Sequence, residues 1–203
     1  MVDPAVTSAE TDRVWLERAI ELSRRCTASP LAYSVGAVIV ADGRILAEGW
    51  SRQSGLATHA EEIALAVLAR AGPGGPAPND GSAPGGPASG GGAGAPGGPA
   101  PGDGAVRGAG APGGPGPEPG SALLGATLYS SLEPCSQRAS RPRSCTQLIL
   151  DAGIGRVVFA LREPPLFVRC EGAELLAAAG VEVVEVTDLA GSVVAVNAHL
   201  LGR

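Results

Sequence analysis

The chain has 203 residues, 44% of them hydrophobic and 17% charged, with a formal net charge of −5. That balance suits a protein with a buried core and excludes the broad basic face that duplex nucleic acid requires. No apolar run approaches the roughly eighteen residues needed to span a membrane, and all fifteen basic residues are arginine, which excludes Schiff-base chemistry on a lysine.

The start, Met1-Val2-Asp3-Pro4, lacks a charged-then-apolar export pattern, so a cytoplasmic location is expected. In such a reducing compartment the four cysteines point to metal binding or catalysis before disulfides. Glycine and proline are over-used, at 31 and 18 residues, and about two thirds of both fall between 72 and 120.

Taken in order, Thr11 to Cys26 places Val14, Trp15, Arg18, Ala19 and Leu22 at helical spacing, with Ser8 or Thr11 as cap. Ser34 to Val40 and Arg44 to Gly49 are two apolar runs around Ala41-Asp42-Gly43, the signal of a β-hairpin. Thr58 to Ala71 is a helix capped by Thr58, with His59 and Glu61 in its first turn and Gly72-Pro73 as its stop. Residues 72–120 repeat Ala-Pro-Gly-Gly-Pro at unequal spacing and carry too little apolar surface to offset their ordering entropy, so a disordered insertion is expected there.

After the insertion, Ala126 to Ser131 is a strand that exits through Leu132-Glu133-Pro134-Cys135. Cys145 to Ala152 is a helix closed by Gly153, Arg156 to Leu161 a strand, Glu171 to Ala179 a helix, Val181 to Val186 a strand, and Asp188 to Leu201 a terminal helix. Helical crossovers make the later strands parallel beside the hairpin. The expected fold is a single α/β domain over 1–203, interrupted at 72–120: a three-layer α-β-α sandwich on a mixed five-stranded sheet.

Three fragments carry chemistry: Thr58-His59-Ala60-Glu61-Glu62, Glu133-Pro134-Cys135, and Cys145 opening a helix. One imidazole and two thiolates are the donors a catalytic Zn2+ takes, three protein ligands leaving the fourth tetrahedral position for water. His59, Cys135 and Cys145 are therefore the expected ligands of one zinc per chain. A water on such a metal still needs a positioned base, and Glu61, two residues after His59, is the candidate. Helix N-termini at His59 and Cys145 favour thiolate over thiol and ease ligand deprotonation. Zinc-dependent base deaminases share this His-x-Glu and Pro-Cys logic with two residues between their cysteines. Here nine residues separate them, so the loop Ser136 to Ser144 must fold back, bringing Arg138, Arg141 and Arg143 with it.

The stretch Leu132-Glu133-Pro134-Cys135-Ser136 with a long gap to Cys145 resembles the deaminase domain of the bifunctional riboflavin-biosynthesis deaminase/reductase, in the cytidine deaminase superfamily. Val35 to Val40, His59-Ala60-Glu61, Asp151-Ala152-Gly153-Ile154 and Leu176 through Gly180-Val181 share in the likeness. The resemblance implies zinc on His59, Cys135 and Cys145, proton transfer by Glu61, and hydrolysis of a ring amine on 2,5-diamino-6-ribosylamino-4(3H)-pyrimidinone 5′-phosphate. It also implies assembly into a homo-oligomer. This chain reads Leu31-Ala32-Tyr33-Ser34-Val35-Gly36 where that family commonly has Asn before a Pro-x-Val-Gly stretch, has Gln137 where the family has His two residues after the first Cys, and its inter-cysteine gap is one residue longer. Arg141 and Arg143 are the candidates to clamp a substrate phosphate. Gln137, Ser34 and Trp50 are the candidates to line the rest of the pocket. A cytosine nucleotide or another small metabolite as substrate, and a non-catalytic zinc-stabilised module, are the alternatives.

Overall fold

Alternation along three short apolar stretches builds the middle layer. In β1 (Gly36–Ala41), Ala37 and Ile39 belong to one core and Val38 and Val40 to the other. Leu128 and Tyr129 divide in the same way in β3 (Thr127–Ser130), as do Val157 and Val158 in β4 (Arg156–Phe159). Successive strand side chains point to opposite faces, so each strand feeds two cores at once. On one face Leu16 and Ile20 of α1 (Ser8–Ser23) meet Val38, Tyr129 and Val158. On the other, Ala64 of α2 (Ala60–Ala71), Ile149 of α3 (Cys145–Ala152) and Leu176 of α4 (Gly172–Ala178) meet Ile39, Leu128 and Val157. Two cores on opposite faces of one sheet make the expected three-layer sandwich.

This computed structural model describes residues 8–71, 123–138, 141–166 and 170–201. All of them fall in the unit formed by Met1–Pro78 and Pro117–Arg203. The insertion expected at 72–120 lies outside the described residues. No helix among the described residues is long and apolar enough to cross a membrane.

The five strands run in the order β2-β1-β3-β4-β5, with β2 (Arg44–Trp50) and β5 (Glu182–Glu185) at the edges. β1 is antiparallel to both of its neighbours, while β3, β4 and β5 are parallel, so the sheet is mixed as expected. Asp42 and Gly43 turn the hairpin with φ of 50° and 68°, the left-handed pair that a two-residue turn between twisted strands requires. The exits of β3 and β4 are joined by Glu133 N–H donating to Leu161 C=O at 2.9 Å, which brings both loops to one edge of the sheet. Carboxyl ends of parallel strands are where open α/β sheets bind ligands.

Two expectations need correction. Val14, placed on the apolar face of α1, is 58% exposed, because the stripe that meets the sheet runs through Leu16, Ala19, Ile20 and Leu22. The terminal helix is three pieces: a 3₁₀ turn Thr187–Leu189, α5 (Ala190–Val196) and α6 (Ala198–Leu201). The break falls at Asn197, whose side chain is engaged elsewhere in the fold.

Candidate metal centre and active site

The site starts from how α2 begins. Thr58 does not cap it: its hydroxyl donates to Gly55 C=O, and His59 stands in the cap position. Glu62, three residues on, accepts the His59 backbone N–H at 3.4 Å, half of a capping box. Gly49 lets this helix start lie close on β2, since a Cβ there would meet Ala60 C=O at 2.5 Å. His59 and Glu61 are thereby held over the end of the sheet.

Cys135 comes from the loop after β3, and Cys145 from the first residue of α3. Ser144 caps α3, accepting Gln147 N–H at 3.2 Å, so the free amides of the first turn face back toward Cys135. Cys145 N–H donates to Cys135 Sγ at 3.4 Å, and Thr146 N–H and Oγ1 both donate to Cys135 C=O. Gly172 lets α4 close over this loop: a Cβ there would sit 1.9 Å from Pro134 C=O.

These elements bring three donors together. His59 Nδ1 lies 3.6 Å from Cys135 Sγ and 3.4 Å from Cys145 Sγ, and all three ligand atoms lie within 4.8 Å of one another. Zinc bonds of about 2.3 Å to sulfur and about 2.0 Å to nitrogen at tetrahedral angles imply nitrogen–sulfur separations of about 3.5 Å. The donors therefore fit Zn2+ in chemistry and in spacing. All four cysteines are free. Cys135 is held down at about 4 by the hydrogen bond from Cys145 and by His59, against the opposing effect of burial. The same contact, with burial and Glu61, pushes Cys145 up. For His59, burial pulls downward, but the bond to Cys135 and the Glu61 charge outweigh it, so its pKa is raised.

Glu61 is 3% exposed and directed at the donors. Its Oε2 is 3.3 Å from Cys145 Sγ, and its Oε1 accepts the Ser130 hydroxyl at 3.0 Å. Burial raises its pKa above the ordinary carboxylate value.

The remaining candidates separate. Arg141 pairs with Glu62 at 3.5 Å, whereas Arg143 pairs with Asp151 at 2.9 Å and is 63% exposed. Arg138 is the buried arginine of the loop, its side chain 3% exposed. It donates to Glu62 at 3.0 Å and to Ala57 C=O at 2.7 Å, while its Nε and Nη1 have no hydrogen-bond partner among the described residues. Gln137, Arg138 and Arg141 border a cleft of about 310 Å³ at the N-terminus of α3. Ser34 is buried, its hydroxyl accepting from Arg52 at 3.0 Å. Trp50 packs in the α1-side core with the Arg25 guanidinium 5.0 Å from its ring centroid.

Several residues at the site carried no motif. Ser130 orients Glu61, and its signal was a pair of serines ending an apolar strand just before Pro134-Cys135. Glu133 buries its carboxylate to accept Ala173 N–H at 2.9 Å and Glu163 N–H at 3.2 Å. Glu163 is pushed up to about 7 by burial, then by the charges of Cys135 and Glu61.

Comparison with known proteins agrees with this geometry. The model of the cytidine and deoxycytidylate deaminase zinc-binding region matches residues 9–161. The diaminohydroxyphosphoribosylamino-pyrimidine deaminase of Schizosaccharomyces pombe is 30% identical over 171 residues, covering 84% of this chain and 31% of that protein. The deaminase/reductase of Thermotoga maritima, which pairs a diaminohydroxyphosphoribosylaminopyrimidine deaminase with a 5-amino-6-(5-phosphoribosylamino)uracil reductase, superposes with a TM-score of 0.63 at 27% identity. The match covers 94% of this chain and 40% of that one. The Rib2 deaminase of Aspergillus oryzae, solved in complex with DARIPP, shares the fold with a TM-score of 0.61 at 20% identity, over 94% of this chain and 92% of that one. The chain thus spans between about a third and two fifths of the first two relatives. It belongs to the zinc-binding cytidine and deoxycytidylate deaminase family, and His59, Cys135 and Cys145 are its zinc ligands.

Proposed function

We propose that this chain is a zinc-dependent hydrolytic deaminase acting on the riboflavin-pathway diaminopyrimidinone ribosyl phosphate, and that it does so as one domain interrupted at 72–120. The observation that carries the reading is the Glu61 carboxylate 3.3 Å from a thiol of the metal trio: a purely structural zinc site has no use for a buried acid there. The similarity to proteins whose names specify that pyrimidine supports the substrate class.

His59, Cys135 and Cys145 would hold the zinc, which when bound would supply a water acidic and nucleophilic enough to add to the amine-bearing ring carbon. Glu61 would take one proton from the attacking water and deliver it to the ring nitrogen, then take the remaining hydroxyl proton and deliver it to the departing amine, so the amine-bearing carbon becomes a carbonyl and ammonia leaves. Ser130 fixes one Glu61 oxygen and leaves the other directed at the reacting atoms. Arg141 and Arg143 hold the phosphate; Arg141 and Gln137 border the cleft at the N-terminus of α3. Ser34 is assigned to a wall of the substrate site beside the loop after β4, which its neighbour Tyr33 reaches, whereas Trp50 packs in the α1-side core and is given no part in the cleft.

Metal-loaded protein supplied with the riboflavin-pathway pyrimidine, beside cytidine and deoxycytidine phosphates, is expected to release ammonia from the first. Glu61→Gln should lower turnover by about 10²–10⁴-fold with zinc still bound. Absence of ammonia from every substrate, or full activity in Glu61→Gln, contradicts the proposal.

A further inference from the structure

Asn197 stands at the break between α5 and α6 and is fully buried. A buried side-chain amide must find protein partners for its oxygen and its two N–H groups, and this one does. Its Oδ1 accepts Ser34 N–H at 2.7 Å and its Nδ2 donates to Ser34 C=O at 3.1 Å. The amide thus pairs with both backbone groups of one residue, as a neighbouring strand would. Its second N–H donates to Val193 C=O at 3.1 Å, anchoring the clamp to α5. Arg52 grips the same segment, donating to Tyr33 C=O at 2.9 Å and Ser34 Oγ at 3.0 Å.

The segment held in this way is bonded to neighbours of the site at two points. The Tyr33 hydroxyl donates to Pro164 C=O at 3.0 Å, next to Glu163 in the loop after β4. Gly36 N–H donates to Ser131 Oγ at 3.1 Å, and Ser131 N–H returns a bond to Gly36 C=O at 2.9 Å. Ser131 adjoins Ser130, which holds Glu61.

We propose that Asn197 is a positioning residue: by clamping the Ser34 backbone it fixes the Tyr33–Ser34 segment as a wall of the substrate site, and so ties the C-terminal helices to substrate binding. This rests on the deaminase reading above. The proposal assigns Asn197 no contact with substrate; it acts through Ser34 and Tyr33.

The test compares full-length, zinc-loaded wild type with Asn197→Ala, the isosteric Asn197→Asp, and Val193→Ala. Val193 is fully buried one turn earlier on α5 and has no polar side-chain link to the wall, so its variant controls for loss of stability. Both Asn197 variants are expected to bind one zinc and to exchange amide hydrogens in 31–36 about tenfold faster or more, while Val38–Val40 stays protected. KM for the ribosyl phosphate pyrimidine should rise about tenfold, the factor that a lost hydrogen bond supplies, with kcat changed less than about threefold. Val193→Ala should lower the melting temperature and leave KM alone. Wild-type KM and wild-type exchange in both Asn197 variants, or an equal KM rise in Val193→Ala, overturns the assignment. If wild type releases no ammonia, the deaminase reading fails by itself, and the exchange comparison still decides whether Asn197 holds this wall.

Discussion

Glu61 sits where burial favours its neutral form, yet its proposed task requires it to accept a proton, so the groups around it matter as much as the carboxylate. Among the described residues, Ser130 is the side chain whose hydroxyl donates to it. Ser130→Ala is expected to lower kcat about tenfold, the loss of one hydrogen bond to a charged group, with zinc content unchanged. Steady-state kinetics beside metal analysis checks this, and an unaltered kcat would count against the orienting role. The two arginines proposed for the phosphate should differ in size of effect. Both are exposed and both pair with a carboxylate, Arg143 with Asp151 and Arg141 with Glu62, but Arg141 borders the cleft. Arg141→Ala should raise KM about 10-fold or more for the phosphorylated substrate and much less for its dephosphorylated form, with Arg143→Ala the milder variant. Equal effects on both substrate forms would remove the clamp. The metal ligands were legible because zinc demands particular donor types. Ser130, Glu133 and Asn197 were not, since serine, glutamate and asparagine serve anywhere and these acquire their roles only from partners distant in the chain.

At the scale of elements, two glycines set how closely helices approach the site. Gly172 is the tighter: any side chain there must displace the Pro134 carbonyl, and Cys135 follows directly. Gly172→Ala is expected to cost about 1–3 kcal/mol of stability by overpacking and to weaken zinc retention, as denaturant melts and competition with a chelator would show. A variant that keeps wild-type zinc affinity would mean that α4 does not seat the Cys135 loop. Most elements could be read from sequence: the valine-rich runs alternate with period two, Asp42-Gly43 marks a tight turn, and Gly153 ends α3 in the left-handed conformation, with φ of 73°. What failed were features that depend on a neighbour. Helical spacing around Val14 is ambiguous until the sheet selects one stripe, and nothing local to 188–201 announces the break at Asn197, which follows the clamp on Ser34 across the fold. Strand order likewise needed three dimensions, because β1 pairs with β3 across the interval that holds the insertion.

For the whole molecule, Tyr129 joins the layers. Its hydroxyl donates to Asp12 of α1 at 3.0 Å, and Asp12 also receives both guanidinium nitrogens of Arg156 at 2.7 Å. Burial, then Asp12, pushes the Tyr129 phenol up to about 12, and burial does the same at Tyr33. The folded values exceed the unfolded value of about 10, so this stability is complete below pH 10 and drains away as pH rises toward about 12. Denaturant melts across pH 9–12 should show that decline, and Tyr129→Phe should flatten it; an unchanged slope would contradict the buried-phenol origin. Replacing 72–120 by a short Gly/Ser linker is expected to leave zinc content and kcat within about twofold, since closure entropy changes only logarithmically with loop length. Loss of folding or activity would give those residues a part in the domain.

The deaminase account depends on a single zinc bound by His59, Cys135 and Cys145. X-ray absorption at the zinc edge of the purified chain tests it most directly. Two sulfur scatterers at about 2.3 Å with nitrogen or oxygen at about 2.0 Å, one zinc per chain, and loss of one sulfur in Cys145→Ser are the expected result. A chain without bound zinc, or an all-sulfur shell, would contradict it.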